Sequence, residues 1–199
     1  MSLDQVLILL LGYLLGAIPF GYILTRKYTG LNILEHGSGN IGSTNVGRVA
    51  GKKIAFLVQI LDMLKGFVPV LAILFSNKSG LYVLPDYFIF AVAASTILGH
   101  NFSIFLRFKG GKGVNTTLGA SVLIAPIEVF CAVGVYFIVK RLFRFTSVGS
   151  MALAITLPAT NLILHAGNSL LLYLLFCCIM IIIRHASNVR RLFSENEIL

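Results

Sequence analysis

Residues 37 to 48 read GSGNIGSTNVGR, a stretch of four glycines interleaved with Ser38, Asn40, Ser43, Thr44 and Asn45 and closed by Arg48. Glycines let the backbone approach a ligand closely and turn successive N–H groups toward one point, which makes an anion nest. The hydroxyls and amides add neutral hydrogen-bonding groups, and Arg48 adds a forked, permanent cation. This is the chemistry of a phosphate cradle, with Gly37, Gly39, Gly42, Asn40, Thr44 and Asn45 as candidate phosphate ligands. Its plain alternative is a flexible polar loop. A second cluster runs from Gly99 to Gly113 as GHNFSIFLRFKGGKG and continues into Asn115, Thr116 and Thr117. There Gly110 and Gly111 bare the backbone between Lys109 and Lys112, whose ammonium groups can reach anionic oxygens; the alternative is a basic loop against lipid headgroups. A third cluster, RHASNVRR at 184–191, sets His185 and Asn188 three residues apart, which places them on one face of a helix. Its alternative is an ordinary basic tail.

Several chemistries are missing. Gly37, Gly39 and Gly42 spell G-x-G-x-x-G, but the dinucleotide reading needs a preceding strand in a βαβ unit, and the neighbours here are apolar runs. KGGKG lacks the Walker A spacing and its Ser/Thr. There is no G-x-S-x-G elbow. None of the four histidines has an Asp five positions later. Glu35 and Asp62 are the only acids near the three clusters before the C-terminal tail, so no carboxylate-rich metal site is expected, and no cofactor. Cys131, Cys177 and Cys178 sit in apolar runs without metal-ligand spacing and read as packing residues. The net charge of +9 suits anionic lipid or anionic substrates. No stretch combines base-stacking aromatics with basic clusters, so nucleic acid is not an expected partner.

The elements that must present these clusters are apolar. Of 199 residues, 57% are hydrophobic and only 12% charged, about half the charged share of a soluble domain. The mean hydropathy is +0.92. The chain reads as a single all-α integral membrane domain over 1–199. Apolar spans are expected at about 3–25, 53–75, 87–102, 147–165 and 168–184, with a tight break at 165–168. A longer run covers about 114–139. The positive-inside rule places Arg26, Lys27, Arg48, Lys52 and Lys53 in the cytoplasm, with Arg107, Lys109 and Lys112, and also Lys140, Arg141 and Arg144. A single span over 114–139 would set the last two groups on opposite faces. A Pro-interrupted hairpin turning near 125–128, around Pro126 and Glu128, removes the conflict; at least one short arm must then be tilted, extended or protected by protein. The expected total is about seven transmembrane helices, N-terminus outside and C-terminus cytoplasmic. Fourteen of the sixteen Lys/Arg then lie inside, Lys65 and Lys78 being the exceptions, and loop 76–86 outside sets Lys78 against Asp86. Asp62 and Lys65, three apart within a span, are expected to pair structurally, although an intramembrane charge is also a functional candidate.

The three clusters resemble the three motifs of the bacterial acyl-phosphate:glycerol-3-phosphate acyltransferases. GSGNIGSTNVGR matches the first motif, GHNFSIFLRFKGGKGVNTTLG the second and RHASNVRRL the third, and with LDMLKG at 61–66 the likeness covers nearly the whole chain. The resemblance implies transfer of a fatty acyl group from acyl phosphate to the 1-hydroxyl of glycerol 3-phosphate, giving lysophosphatidate and phosphate. It also implies seven helices and an external N-terminus. Carried over by position, the site residues are Ser38, Arg48, Lys109, His185 and Asn188, with Gly37, Gly39, Asn40, Gly42, Thr44, Asn45, Gly110, Gly111 and Lys112 around the substrate phosphates. The expected setting is the bacterial cytoplasmic membrane, the site facing the cytoplasm, the chain a monomer in the lipid bilayer. Ser38 reads as a hydrogen-bond donor rather than an acyl carrier, because a covalent serine needs a base and a third positioned group. His185 is read either as orienting the acceptor or as a base. A transporter or channel for a phosphorylated anion is the competing reading; it would need access from both faces.

Overall fold

The structure, a computed structural model, describes residues 1–85, 87–165 and 169–193, the last three without their side chains. Asp86 and the break at 166–168 lie outside the described residues. Ser2 and Gln5 form a reciprocal capping box that starts α1, Leu3–Ala17. The expected continuous span over 3–25 is broken at Ile18-Pro19, since proline has no N–H with which to continue the helix, and α2 resumes at Phe20–Thr29. It ends at Gly30, whose φ of 73° lies in the left-handed region. A 3-10 turn at Ile33–Glu35 leads to α3, Ser43–Val49, and to the 28-residue α4, Lys52–Ser79. Next come α5, Phe88–Asn101, a 3-10 turn at Ile104–Leu106, and α6, Val114–Ser121. The remaining helices are α7, Pro126–Phe143, α8, Thr146–His165, α9, Ser169–Arg184, and α10, Ala186–Phe193.

The chain falls into two compact units, 1–123 and 124 onward. In the first, α1 packs on α5 and α4 on α6. Each pair closes through reciprocal glycines. A Cβ on Gly16 would strike the Thr96 carbonyl and one on Gly99 the Tyr13 carbonyl; Gly66 and Gly119 face the Thr116 and Met63 carbonyls in the same way. Small residues that let backbones touch are the usual means of packing helices in lipid, where apolar side chains gain nothing by leaving the surroundings. In the second unit α8 packs on both α7 and α9. Glu128 is buried in the first turn of α7, where the helix dipole favours a carboxylate, and accepts a 2.9 Å hydrogen bond from Asn161 Nδ2.

Among the described residues, four stretches are long and apolar enough to cross a membrane: Leu3–Thr29, Lys52–Ser79, Phe88–Leu106 and Thr146–His165; Ser169–Arg184 is a shorter apolar helix. The chain is a multi-pass membrane protein. The break in the 114–139 run falls at 122–125, just before the expected turn, because Pro126 occupies the opening of α7, where its missing N–H costs nothing. The eight residues of α6 extend only about 12 Å. Most of them are buried by protein.

Candidate active site

The first motif rests on a small hydrophobic core. Ile33, Ile41, Val46 and Val58 are fully enclosed, with Tyr22, Leu24, Leu34 and Ile54 packed around them. This burial sustains α3, whose sequence STNVGRV is a poor helix former. Inside the loop one side chain does most of the organising. Asn45, 2% exposed, accepts from the Ser38 amide at 2.9 Å and donates through Nδ2 to the carbonyls of His36 at 3.0 Å and Asn40 at 2.9 Å. Asn40 Oδ1 accepts from the Gly42 amide at 2.8 Å, and the Gly39 amide bonds to the His36 carbonyl. Gly37 and Gly39 have φ of 60° and 70°, and a Cβ on Gly37 would collide with Asn45 Oδ1.

The expected anion nest is therefore narrower than the residue types suggest. The amides of Ser38, Gly39 and Gly42 fold the loop itself. The amides of Ser43 and Thr44, at the start of α3, have no acceptor within the helix. Thr44 and Arg48 are exposed, and Ser38 and Asn40 are half-buried.

The second motif is held from beneath. The Gly111 amide donates to the His100 carbonyl at 3.0 Å, and a Cβ on Gly111 would meet the His100 ring. One on Gly110 would meet the His100 carbonyl, and Asn101 backbone atoms at 2.7 Å. Arg107 and Phe108 precede these glycines with φ of 51° and 63°, a conformation that costs non-glycine residues energy and that clusters at functional sites. Lys109 is exposed and Lys112 half-buried. Gly113, φ 79°, caps α6 from above Asn101. The side chain of Asn101 is fully enclosed with neither amide atom bonded to protein, as are the hydroxyls of Thr116 and Thr117. The two loops meet where Asn115 Nδ2 donates to Ser43 Oγ at 3.3 Å.

The third motif belongs to the second unit. His185 lies at the joint between α9 and α10 rather than within one continuous helix, and its carbonyl accepts from the amides of Asn188 and Val189. His185 and Asn188 are nonetheless both buried, at 2% and 7% exposure. The His185 Nδ1 lies 2.8 Å from the Ile181 carbonyl. A carbonyl only accepts, so Nδ1 carries a proton in this contact. Among the described residues no three His, Cys, Asp or Glu side chains are grouped to hold a metal ion.

A family model described as glycerol-3-phosphate acyltransferase matches residues 6–195. The chain belongs to the glycerol-3-phosphate acyltransferase family. It is 39% identical over 193 residues to a glycerol-3-phosphate acyltransferase of Clostridium acetobutylicum, covering 96% of this chain and 98% of that one. To the protein of the same name in Syntrophotalea carbinolica it is 40% identical over 191 residues, covering 96% and 95%. Crystal structures of PlsY (YgiH), an integral membrane glycerol 3-phosphate acyltransferase, superpose with TM-scores of 0.88 for the glycerol 3-phosphate form and 0.85 for the lysophosphatidic acid form. Both are 32% identical and cover 98% of this chain and 94% of theirs.

Within this acyltransferase fold, Asn45, a candidate ligand by residue type, has its amide committed to the loop. Sequence spacing does not single out His100 and Asn101, which support the second motif, or the Ser43–Asn115 bond between the two motifs. The GHN run at 99–101 was the visible signal, but nothing in its spacing says which way those side chains face.

Proposed function

We propose that the chain transfers a fatty acyl group from acyl phosphate to the 1-hydroxyl of glycerol 3-phosphate. The hydroxyl oxygen attacks the acyl carbonyl carbon, the carbon–oxygen bond to phosphate breaks, and an ester forms. Lysophosphatidate and inorganic phosphate leave, the phosphate taking the hydroxyl proton. The observation that carries this reading is the Ser43–Asn115 bond, which joins two glycine-rich loops bearing Arg48, Lys109 and Lys112 in a chain whose structural neighbours are glycerol 3-phosphate and lysophosphatidic acid forms. Phosphate is already a good leaving group, so the protein's task is to orient two anions and offset their repulsion. Arg48 and Lys109 hold substrate phosphate, helped by Lys112, by the backbone at Gly110 and Gly111 and by the Ser43 and Thr44 amides. Ser38, Asn40 and Thr44 donate neutral hydrogen bonds. Gly37, Gly39, Gly42 and Asn45 keep the first loop in shape. His185 and Asn188 position the acceptor.

Neither metal nor cofactor takes part, the site faces the cytoplasm of a bacterial cell, and the chain crosses the membrane seven times as a monomer. Lysophosphatidate formation by purified protein, with release of phosphate from palmitoyl phosphate or of thiol from palmitoyl thioesters, and glycerol 3-phosphate present in both cases, tests the donor. Formation from palmitoyl phosphate alone is expected, and transfer only from a thioester overturns the reading. An acyl-Ser38 adduct trapped in the wild type would overturn direct transfer. For topology, Cys introduced at Ile127 in a background without native cysteines should react with an impermeant maleimide from outside; labelling only from the cytoplasm defeats the hairpin.

A further inference from the structure

We infer that His100 is a positioning residue for the second motif, clamped by the buried Asp62–Lys65 pair so that its ring and carbonyl fix the turn carrying Lys109 and Lys112. This rests on the phosphate-binding role proposed above for that turn. Asp62, Lys65 and His100 are 2%, 6% and 3% exposed. Burying an ion pair costs desolvation that mutual attraction barely offsets, and apolar side chains would hold α4 in place as well. The pair therefore needs a further reason, and its contacts supply one. Lys65 Nζ lies 2.9 Å from Asp62 Oδ1 and donates at 3.0 Å to the Ile18 carbonyl, which the break at Pro19 releases at the end of α1. Ser103 Oγ donates to the neighbouring Ala17 carbonyl at 2.5 Å, tying the same break to the start of the second loop. Asp62 Oδ1 faces His100 Nδ1 at 3.7 Å, an electrostatic contact rather than a hydrogen bond.

From His100 the constraint passes to the loop. Its carbonyl takes the Gly111 amide, and its ring leaves no room for a side chain at 111, with Cε1 and Cδ2 at 2.9 and 3.1 Å from where a Cβ would stand. The two glycines lie flat on this residue, so a shift of the ring shifts the lysines on either side.

The test compares His100→Ala, Gly111→Ala and the double variant. Each single change should raise KM for a phosphate-bearing substrate by about tenfold, and the double should fall well short of the product of the two, because the added methyl enters the space the imidazole leaves. Multiplicative losses would overturn the proposal. If His100→Ala does not fold, Asp62→Leu with Lys65→Met keeps α4 apolar and packed while releasing the ring. That variant should keep its melting temperature and raise KM; unchanged KM overturns the clamp. Backbone hydrogen exchange gives a readout independent of turnover. Exchange at 109–113 should accelerate in either variant while 37–45 stays protected; no change, or equal loosening of both loops, also overturns the proposal. A wild-type protein inactive with palmitoyl phosphate would refute the functional reading, whereas the exchange result would still decide the positioning role.

Discussion

The two glycine-rich loops of the first unit reach their shapes by opposite means. Loop 37–45 is organised from within: one of its own asparagines closes three hydrogen bonds across it, a second asparagine closes a fourth, and the hydrophobic cluster below merely seats it. Loop 109–113 is held from outside itself. It is laid over His100 and Asn101, residues at the end of a different helix, and its glycines are required because backbone and ring lie directly beneath. A self-braced loop should fail as a unit when its brace is removed. A supported loop should fail when its support is moved or when a side chain is forced between the two.

The largest effect is expected from Asn45→Asp. It replaces two donors with lone pairs that face the His36 and Asn40 carbonyls, so the Asn40 carbonyl loses this donor and the His36 carbonyl, which keeps the Gly39 amide, meets a repelling oxygen. At about 1–3 kcal/mol for each such group, kcat/KM should fall by more than about a hundredfold, while hydrogen exchange at 109–113 stays as in the wild type. A loss of only a few-fold would mean that the loop does not depend on its brace. Next comes Arg48, which tests whether the braced loop supplies chemistry as well as shape. A charge-assisted contact worth about 1.5–3 kcal/mol puts Arg48→Ala roughly ten- to a hundredfold down in turnover. Arg48→Lys should recover only part of this, because a point charge cannot replace a fork. Near-normal kinetics in Arg48→Lys, with a modest defect in Arg48→Ala, would reduce Arg48 to a headgroup anchor.

Gly110→Ala probes the supported loop. Its methyl meets backbone that cannot swing aside, and overpacking of this kind costs about 1–3 kcal/mol. Substrate KM should rise with loop 37–45 unperturbed in exchange; an unaltered KM would break the contrast. The smallest effect belongs to Asn115→Ala, which removes the 3.3 Å bond from the start of α6 to Ser43. At about 0.5–1.5 kcal/mol, the loss should be a few-fold in kcat/KM. A much larger loss would mean that the loops work as one braced unit rather than two.

This contrast also explains what could be read from residues alone. A loop that braces itself writes its logic into a short stretch: the Gly/Asn/Ser/Thr pattern at 37–45 announces a shaped polar turn, although not that Asn45 is consumed in shaping it. Support from beneath is written in residues far apart in sequence. Asp62, Lys65 and His100 belong to two helices, and only packing brings them together. The Asp62–Lys65 pairing was legible because three residues along one helix is a fixed geometry, whereas the His100 contact has no such rule. The break at Pro19 had a visible cause, yet hydropathy alone ran straight through it, because Ile18 and Phe20 are as apolar as the helix they interrupt. The helix at 43–49 was invisible for the opposite reason: its propensity is poor, and tertiary burial of Val46 carries it. The all-helical membrane class needed only composition and run length.

The central claim is that the paired loops serve acyl transfer from a phosphate donor to glycerol 3-phosphate. Mass spectrometry of the lipid made by purified protein from palmitoyl phosphate and glycerol 3-phosphate tests it most directly. The account predicts palmitoyl lysophosphatidate with one equivalent of inorganic phosphate, formed by the wild type and lost in Asn45→Asp. Absence of that lipid from a folded wild type, or its undiminished formation by the Asn45 variant, would contradict it.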